Sequence, residues 1–503
     1  MSKRSLPIVI MLIGVLLLAL AACSTPAEEP AAPEAPAAPA EEAAPEEAAP
    51  AEEAAPAEEA APELFGDALR GGLLYDNWWT PLGLDAPGED QALWATQSSN
   101  SRSGTDTWRC KECHGWDYKG VDGAYGGGSH MTGFVGVIQL AGDANAALAA
   151  LQGATNADHD FSAYMDEQAL TDIALFIAEE TMDYAEVIDA EKAAIGGDAA
   201  VGEGLYQDSC SDCHGPGGMA IDFKGNITKT ETISAIANGN PWEFFHKMRF
   251  GQPNEADMPP AIDAGWSVEE QVAVLAYAQT LTNVNPVTQG ALLYDKFWNA
   301  MGMDEPGVEM PLWATQETNT RSGNDTMRCK ECHGWDYKGV DGAYGSGSHM
   351  TGFVGILQAA DYSAEELVGW LDGTTNADHD YSAYMEADMM NYMVAFIQGG
   401  LVDMSTFIGD DKASTGDAAA GEPLFQLNCA ACHGEEGKEI AFGDESDPEY
   451  ISDIANGNPW EFAHKAANGQ PNSHMPSGMN LGWTWDDIAN VLAYAQTLPK
   501  AGE

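Results

Sequence analysis

Cys110-Lys111-Glu112-Cys113-His114 is the stretch on which the reading of this 503-residue chain turns, and it is not alone. The same Cys-Xaa-Xaa-Cys-His pattern stands at Cys210–His214, Cys329–His333 and Cys429–His433, each copy followed by glycine. On a helical turn, two thiols three residues apart and the imidazole next to the second share one face. One copy alone would also serve as half a zinc site. Zinc needs a second Cys or His pair per site, and the sequence has no other Cys pair. The four copies use eight of the nine cysteines, which leaves Cys23 and none for a disulfide.

Such a unit is the attachment pattern of c-type haem: the thiols add across two vinyl groups and the histidine meets the iron. The expected cofactors are four covalently attached c-type haems. They are bound by Cys110 and Cys113, Cys210 and Cys213, Cys329 and Cys332, and Cys429 and Cys432, with His114, His214, His333 and His433 as proximal iron ligands. The copies belong to a tandem duplication. Cys110 maps to Cys329 and Cys210 to Cys429 at a constant offset, Cys110–Gly126 is identical to Cys329–Gly345, and Ile236–Phe244 recurs as Ile454–Phe462. The order is therefore A-B-A′-B′.

Residues 1–22 read as a lipoprotein signal peptide, with Lys3 and Arg4 ahead of an apolar run from Leu6 to Leu20. Leu20-Ala21-Ala22-Cys23 resembles the lipobox of bacterial lipoproteins, which implies lipidation at Cys23 and a membrane anchor. Residues 23–63 are almost wholly Ala, Pro and Glu and read as a disordered tether, about 100 Å long at about 3.1 Å per residue. The location expected is extracytoplasmic, on the periplasmic or cell-surface side of a bacterial membrane. With 79 Asp+Glu against 21 Lys+Arg, the net charge of −58 excludes nucleic acid as a partner and favours redox proteins with basic docking surfaces.

Turn signals place the domains at 64–190 (A), 196–284 (B), 288–408 (A′) and 414–503 (B′). Apolar stripes at Leu170, Ile173, Ala174 and Ile177, and at Met389, Tyr392, Met393 and Phe396, predict closing helices in A and A′. Ser267 with Glu270, and Thr484 with Asp487, predict capped closing helices in B and B′. With no alternating strand pattern, the fold class is mainly α. B and B′ resemble class I cytochrome c domains throughout: Leu205-Tyr206 or Leu424-Phe425, the haem motif, Met258-Pro259 or Met475-Pro476, then Tyr277 or Tyr494. A and A′ match less well, because a loop of about thirty residues precedes their motif.

That resemblance implies Met258 and Met475 as distal iron ligands in B and B′. His246 and His464 read instead as helix-surface or propionate-contacting residues. In A and A′, His159 and His379 fall where B has its methionine. Met165 and Met385, His130 with Met131, and His349 with Met350 are rivals retained in both halves. Bis-histidine sites would have lower potentials than His/Met sites. The paired tryptophans Trp116 and Trp335, Trp242 and Trp460, and Trp266 and Trp483 read as pocket walls.

The function expected is a membrane-anchored tetrahaem carrier of single electrons between respiratory redox partners, with no catalytic residues. The alternatives are a haem redox enzyme acting on sulfur compounds or peroxide, and a cytochrome subunit of a larger oxidoreductase complex. Thiosulfate dehydrogenases as a family use a distal cysteine, and this chain has none to spare.

Overall fold

In all four segments one helix ahead of the haem motif crosses one near the segment's end. The structure, a computed structural model, describes residues 63–253, 258–443 and 448–502. The segments expected to be a signal peptide and a tether, up to residue 62, and Cys23 lie outside the described residues. In A, helix Ala68–Asp76 crosses Glu167–Leu175; in B, Ala199–Ser209 crosses Val268–Thr280. In A′, Pro286–Met301 crosses Ala387–Gly399; in B′, Ala418–Asn428 crosses Trp485–Ala495. Among the described residues there are isolated bridges but no strands.

A glycine permits each crossing. A Cβ on Gly71, Gly202, Gly290 or Gly421 would lie 1.9–2.0 Å from a backbone oxygen of the partner helix, those of Asp172, Ala273, Tyr392 and Asn490. Four residues after each glycine comes a buried aromatic: Tyr75, Tyr206, Tyr294 and Phe425. The three tyrosines donate their hydroxyl hydrogen to the carbonyl of the glycine after the haem motif, Gly115 at 2.7 Å, Gly215 at 2.9 Å and Gly334 at 2.5 Å. This spacing ties the first helix to the motif in A and A′ as in B. The long loop of A is an insertion into a shared scaffold.

The expected capping boxes at Ser267/Glu270 and Thr484/Asp487 are present. The stripe of A is buried throughout, from Leu170 to Ile177. In A′ the buried face is shifted, because Met389 and Tyr392 are half-buried while Met390, Val394 and Ile397 join Met393 and Phe396 inside.

Within each half the core is continuous from the A-type to the B-type segment. The element that joins them is the middle helix of the B-type segment, Pro241–Phe250 or Pro459–Asn468. Here the sequence reading of His246 and His464 as surface or propionate-contacting residues is corrected: they are 0% and 1% exposed. His246 Nε2–H donates to Gly72 O at 3.1 Å and its Nδ1 accepts from the Tyr118 hydroxyl at 2.8 Å. His464 does the same with Ala291 O at 3.2 Å and Tyr337 at 2.8 Å. The helix has two buried faces, one toward each site, which a one-sided periodicity does not signal.

Beside these histidines lie two buried carboxylates. Asp295 accepts from Arg328 Nη2 at 2.5 Å and Lys465 Nζ at 2.9 Å; Asp76 is paired with Arg109 and with Lys247 Nζ at 2.7 Å. Burial alone would raise both carboxyl pKa values, but the two cations beside each hold them well below the usual range.

Burial pushes the pKa of His246 down to about 3 and that of His464 to about 4. Their folded-state values lie below the ordinary value of about 6.5, so the stability they contribute is present above about pH 6.5 and is lost as pH falls toward 4. Urea unfolding of the haem-loaded protein should show a loss of about 2 kcal/mol per histidine between pH 7 and pH 5. Replacing His464 by Gln should flatten that slope by one residue's share. The aspartates act later, their contribution persisting until the pH falls below about 4.

Candidate haem sites

Each haem motif forms a single helical turn that its glycine stops, with φ between +76° and +79° at Gly115, Gly215, Gly334 and Gly434. The turn sets both thiols and the imidazole of A′ against a cavity of about 320 Å³. Its walls include Cys329, Cys332, His333, Tyr294, Phe353, Trp370 and His379.

His333 and His379 face one another across this space, ring centroids 6.2 Å apart; in A, His114 and His159 stand 6.0 Å apart. In each pair both Nδ1–H groups donate to backbone carbonyls. The acceptors are Val354 O at 2.7 Å and Trp370 O at 2.8 Å in A′, and Val135 O at 2.6 Å and Ala150 O at 3.0 Å in A. Those bonds fix the tautomer and leave Nε2 of every ring as the unprotonated, metal-binding nitrogen. Two imidazoles binding one metal at about 2.0 Å each would need centroids about 6 Å apart.

Met165 and Met385 are packed in the two cores, 4% and 2% exposed. His130 and His349 turn Nδ1 toward Arg102 and Arg321, at 3.1 and 3.3 Å, and lie over Tyr125 and Tyr344. The long loop of A supports the histidine side of the site, with Gln91 Nε2 donating to Asp158 O at 2.7 Å. This bracing was not legible in the sequence, since Gln91 has Met310 in its place in A′.

The B′ cavity measures about 490 Å³ and is lined by Cys429, Cys432, His433, Met475, Pro476, Trp483 and residues of the middle helix. His433 and Met475 thus share one cavity. In B, Met258 is half-buried, and its segment packs against the end of the middle helix at Gly251. His214 Nδ1 and His433 Nδ1 are buried without a partner among the described residues, unlike their A-type counterparts. Burial pushes the pKa of His114, His214 and His333 down to about 4 and lowers that of His433, so these imidazoles are neutral at pH 7 and able to bind metal. The paired thiols, neutral imidazoles and apolar walls fit covalent haem.

Residues 418–499 match the family model described as cytochrome c, and residues 197–277 match that described as cytochrome C oxidase, cbb3-type, subunit III. Among curated proteins the chain is similar to cytochrome bc1 complex cytochrome c subunits. That of Mycobacterium leprae is 26% identical over 183 residues, covering 34% of this chain and 57% of the relative. That of Corynebacterium diphtheriae is 26% identical over 192 residues, 35% of this chain and 66% of the relative. The matched region thus spans 57–66% of these relatives. Among solved structures, a thiosulfate dehydrogenase (TsdBA) from Marichromatium purpuratum aligns over 77% of this chain and 86% of its own at 16% identity, with a TM-score of only 0.20. The chain is a multihaem c-type cytochrome and is mainly helical.

Proposed function

We propose that this cytochrome carries four haems, one at each motif, and passes single electrons between respiratory redox partners outside the cytoplasmic membrane, anchored by lipid on Cys23. The carrying observation is the pair of opposed imidazoles in A and A′. His114 with His159, and His333 with His379, would hold an iron between them and leave it no open position for a substrate. In B and B′ the residues that would hold the iron are His214 with Met258 and His433 with Met475. The haem iron supplies a one-electron couple; the chain supplies its ligands, its apolar enclosure and its docking surfaces. Carbonyl bonds to the proximal histidines of A and A′ make those ligands more basic than His214 and His433. Together with thioether ligation, this supports higher potentials in B and B′.

Low-temperature EPR of the oxidised full-length protein, with spins counted against haem, tests the reading. Four low-spin irons in two bis-histidine and two His/Met sites are expected, and His379→Ala should convert one of the bis-histidine irons to high spin. A high-spin iron in the unmutated protein would instead favour an enzyme. Partner reduction should slow as salt is added, because a chain of net charge −58 steers a basic partner.

A second reading, a cytochrome subunit of a larger complex, is favoured by the similarity to bc1 complex cytochrome c subunits. Among the described residues no helix is long and apolar enough to cross a membrane. Co-purification of further subunits with the native chain would select this reading.

A further inference from the structure

B and B′ meet through segments that belong to their haem sites. The turn after His214 lies against the loop that carries Met475. Ser477 N–H donates to Ala220 O at 3.3 Å, Asn480 Nδ2 donates to Met219 O at 2.9 Å, and His474 Nδ1 lies 3.1 Å from Asp222 O. Contact is close enough that a Cβ on Gly215 would sit 2.1 Å from Asn480 O. The Asn480 side chain also accepts from Asn285 Nδ2 at 2.7 Å, at the start of A′. On the other side, Ser473, His474, Met475 and Pro476 line the B′ cavity.

The duplicated copies diverge at this seam. His474 and Asn480 stand where B has Asp257 and Asp263, and a carboxylate at 480 could not donate to Met219 O. Pro216-Gly217-Gly218-Met219-Ala220, on the B side, corresponds to Glu435-Glu436-Gly437-Lys438-Glu439 in B′. Asp263 and the three glutamates are exposed. The carboxylates of Asp263, Glu435, Glu436 and Glu439 thus have no counterpart at 480 and 216–220, where B and B′ meet, and are kept in the copies that face solvent. In a chain so acidic, joining the halves here requires that difference.

Within a half, the middle helix separates the two sites. Phe462, Lys465 and Ala466 line the B′ cavity, while His464 packs 5.8 Å from the ring of Tyr294, a wall of the A′ cavity.

We propose that the two halves exchange electrons directly between the B and B′ centres across this seam, so that the centres follow one another in space as A, B, B′, A′. This rests on the four-haem reading. Each exchange oxidises one iron from ferrous to ferric and reduces the other from ferric to ferrous. It forms no bond to the protein and moves no proton.

The test uses haem-loaded full-length protein and EPR relaxation of each ferric signal, which reports the paramagnetic neighbours of that iron. Met475→Ala should turn the B′ iron high-spin and alter the relaxation of the B signal, identified by its loss in Met258→Ala, and of A′, while A is unchanged. An effect on A′ alone would overturn the proposed order. In a second variant, Asn480→Asp, equilibration after laser-flash reduction should lose its inter-half phase or show it slowed severalfold, at an unchanged haem count. An unaltered rate would overturn the proposal. Fewer than four haem spins per unmutated chain, or a low-spin B′ iron in Met475→Ala, would be a failure of the haem reading instead.

Discussion

Replacing Asp295 by alanine should lower the stability of the haem-loaded protein by about 3 kcal/mol, read as a fall in the urea midpoint. The carboxylate is 1% exposed and paired with Arg328 and Lys465. Removing one partner of a buried ionic cluster costs about 3–5 kcal/mol, because the remaining charge is left desolvated and unpaired. The lower end applies because neither cation is left isolated. Arg328 keeps Asp325 at 3.6 Å, and Lys465 keeps Glu461 at 3.8 Å. Asp295→Asn keeps the shape and removes the charge, so a loss close to that of alanine assigns the effect to electrostatics. Since Lys465 belongs to B′ and Arg328 directly precedes Cys329, the loss should extend to the docking of B′ on A′. Asp76→Ala is the corresponding experiment in the first half.

The second large effect contrasts two glycines in one helix. Gly202→Ala should destabilise by about 3 kcal/mol, whereas Gly204→Ala should stabilise by up to about 1 kcal/mol. Both substitutions favour the helix intrinsically. At Gly202 the new methyl would sit 1.9 Å from the backbone oxygen of Ala273, a group that no rotamer change can move aside, so the helices must separate. At Gly204 nothing lies within 4 Å. Opposite signs in parallel urea titrations would confirm that the crossing, and not helix propensity, decides the outcome; equal signs would refute it.

That contrast also marks the limit of pattern reading. Gly71, Gly202, Gly290 and Gly421 each stand four residues before an aromatic and ahead of a haem motif, so the shared scaffold of A and B was present in the sequence as a spacing. The thirty-residue loop obscured it, since loops lengthen at little cost in stability. The haem motifs, the duplication, the capping boxes and the helical class were legible because covalent attachment and helix capping are local, bonded over a few residues. The candidate histidines of A were legible only as a set: His159, His130 and Met165 recur in both halves, and repetition does not distinguish among them.

What the sequence by itself determined is where the four haem-attachment motifs stand, how the chain is duplicated and which residue types compete beside each motif. The tertiary structure decided which histidine faces which, that His246 and His464 lie in the core, and that B meets B′. The physical reason is range. Thiol spacing and caps act along the chain, whereas opposed imidazoles, buried charge clusters and the seam between halves join residues tens to hundreds of positions apart.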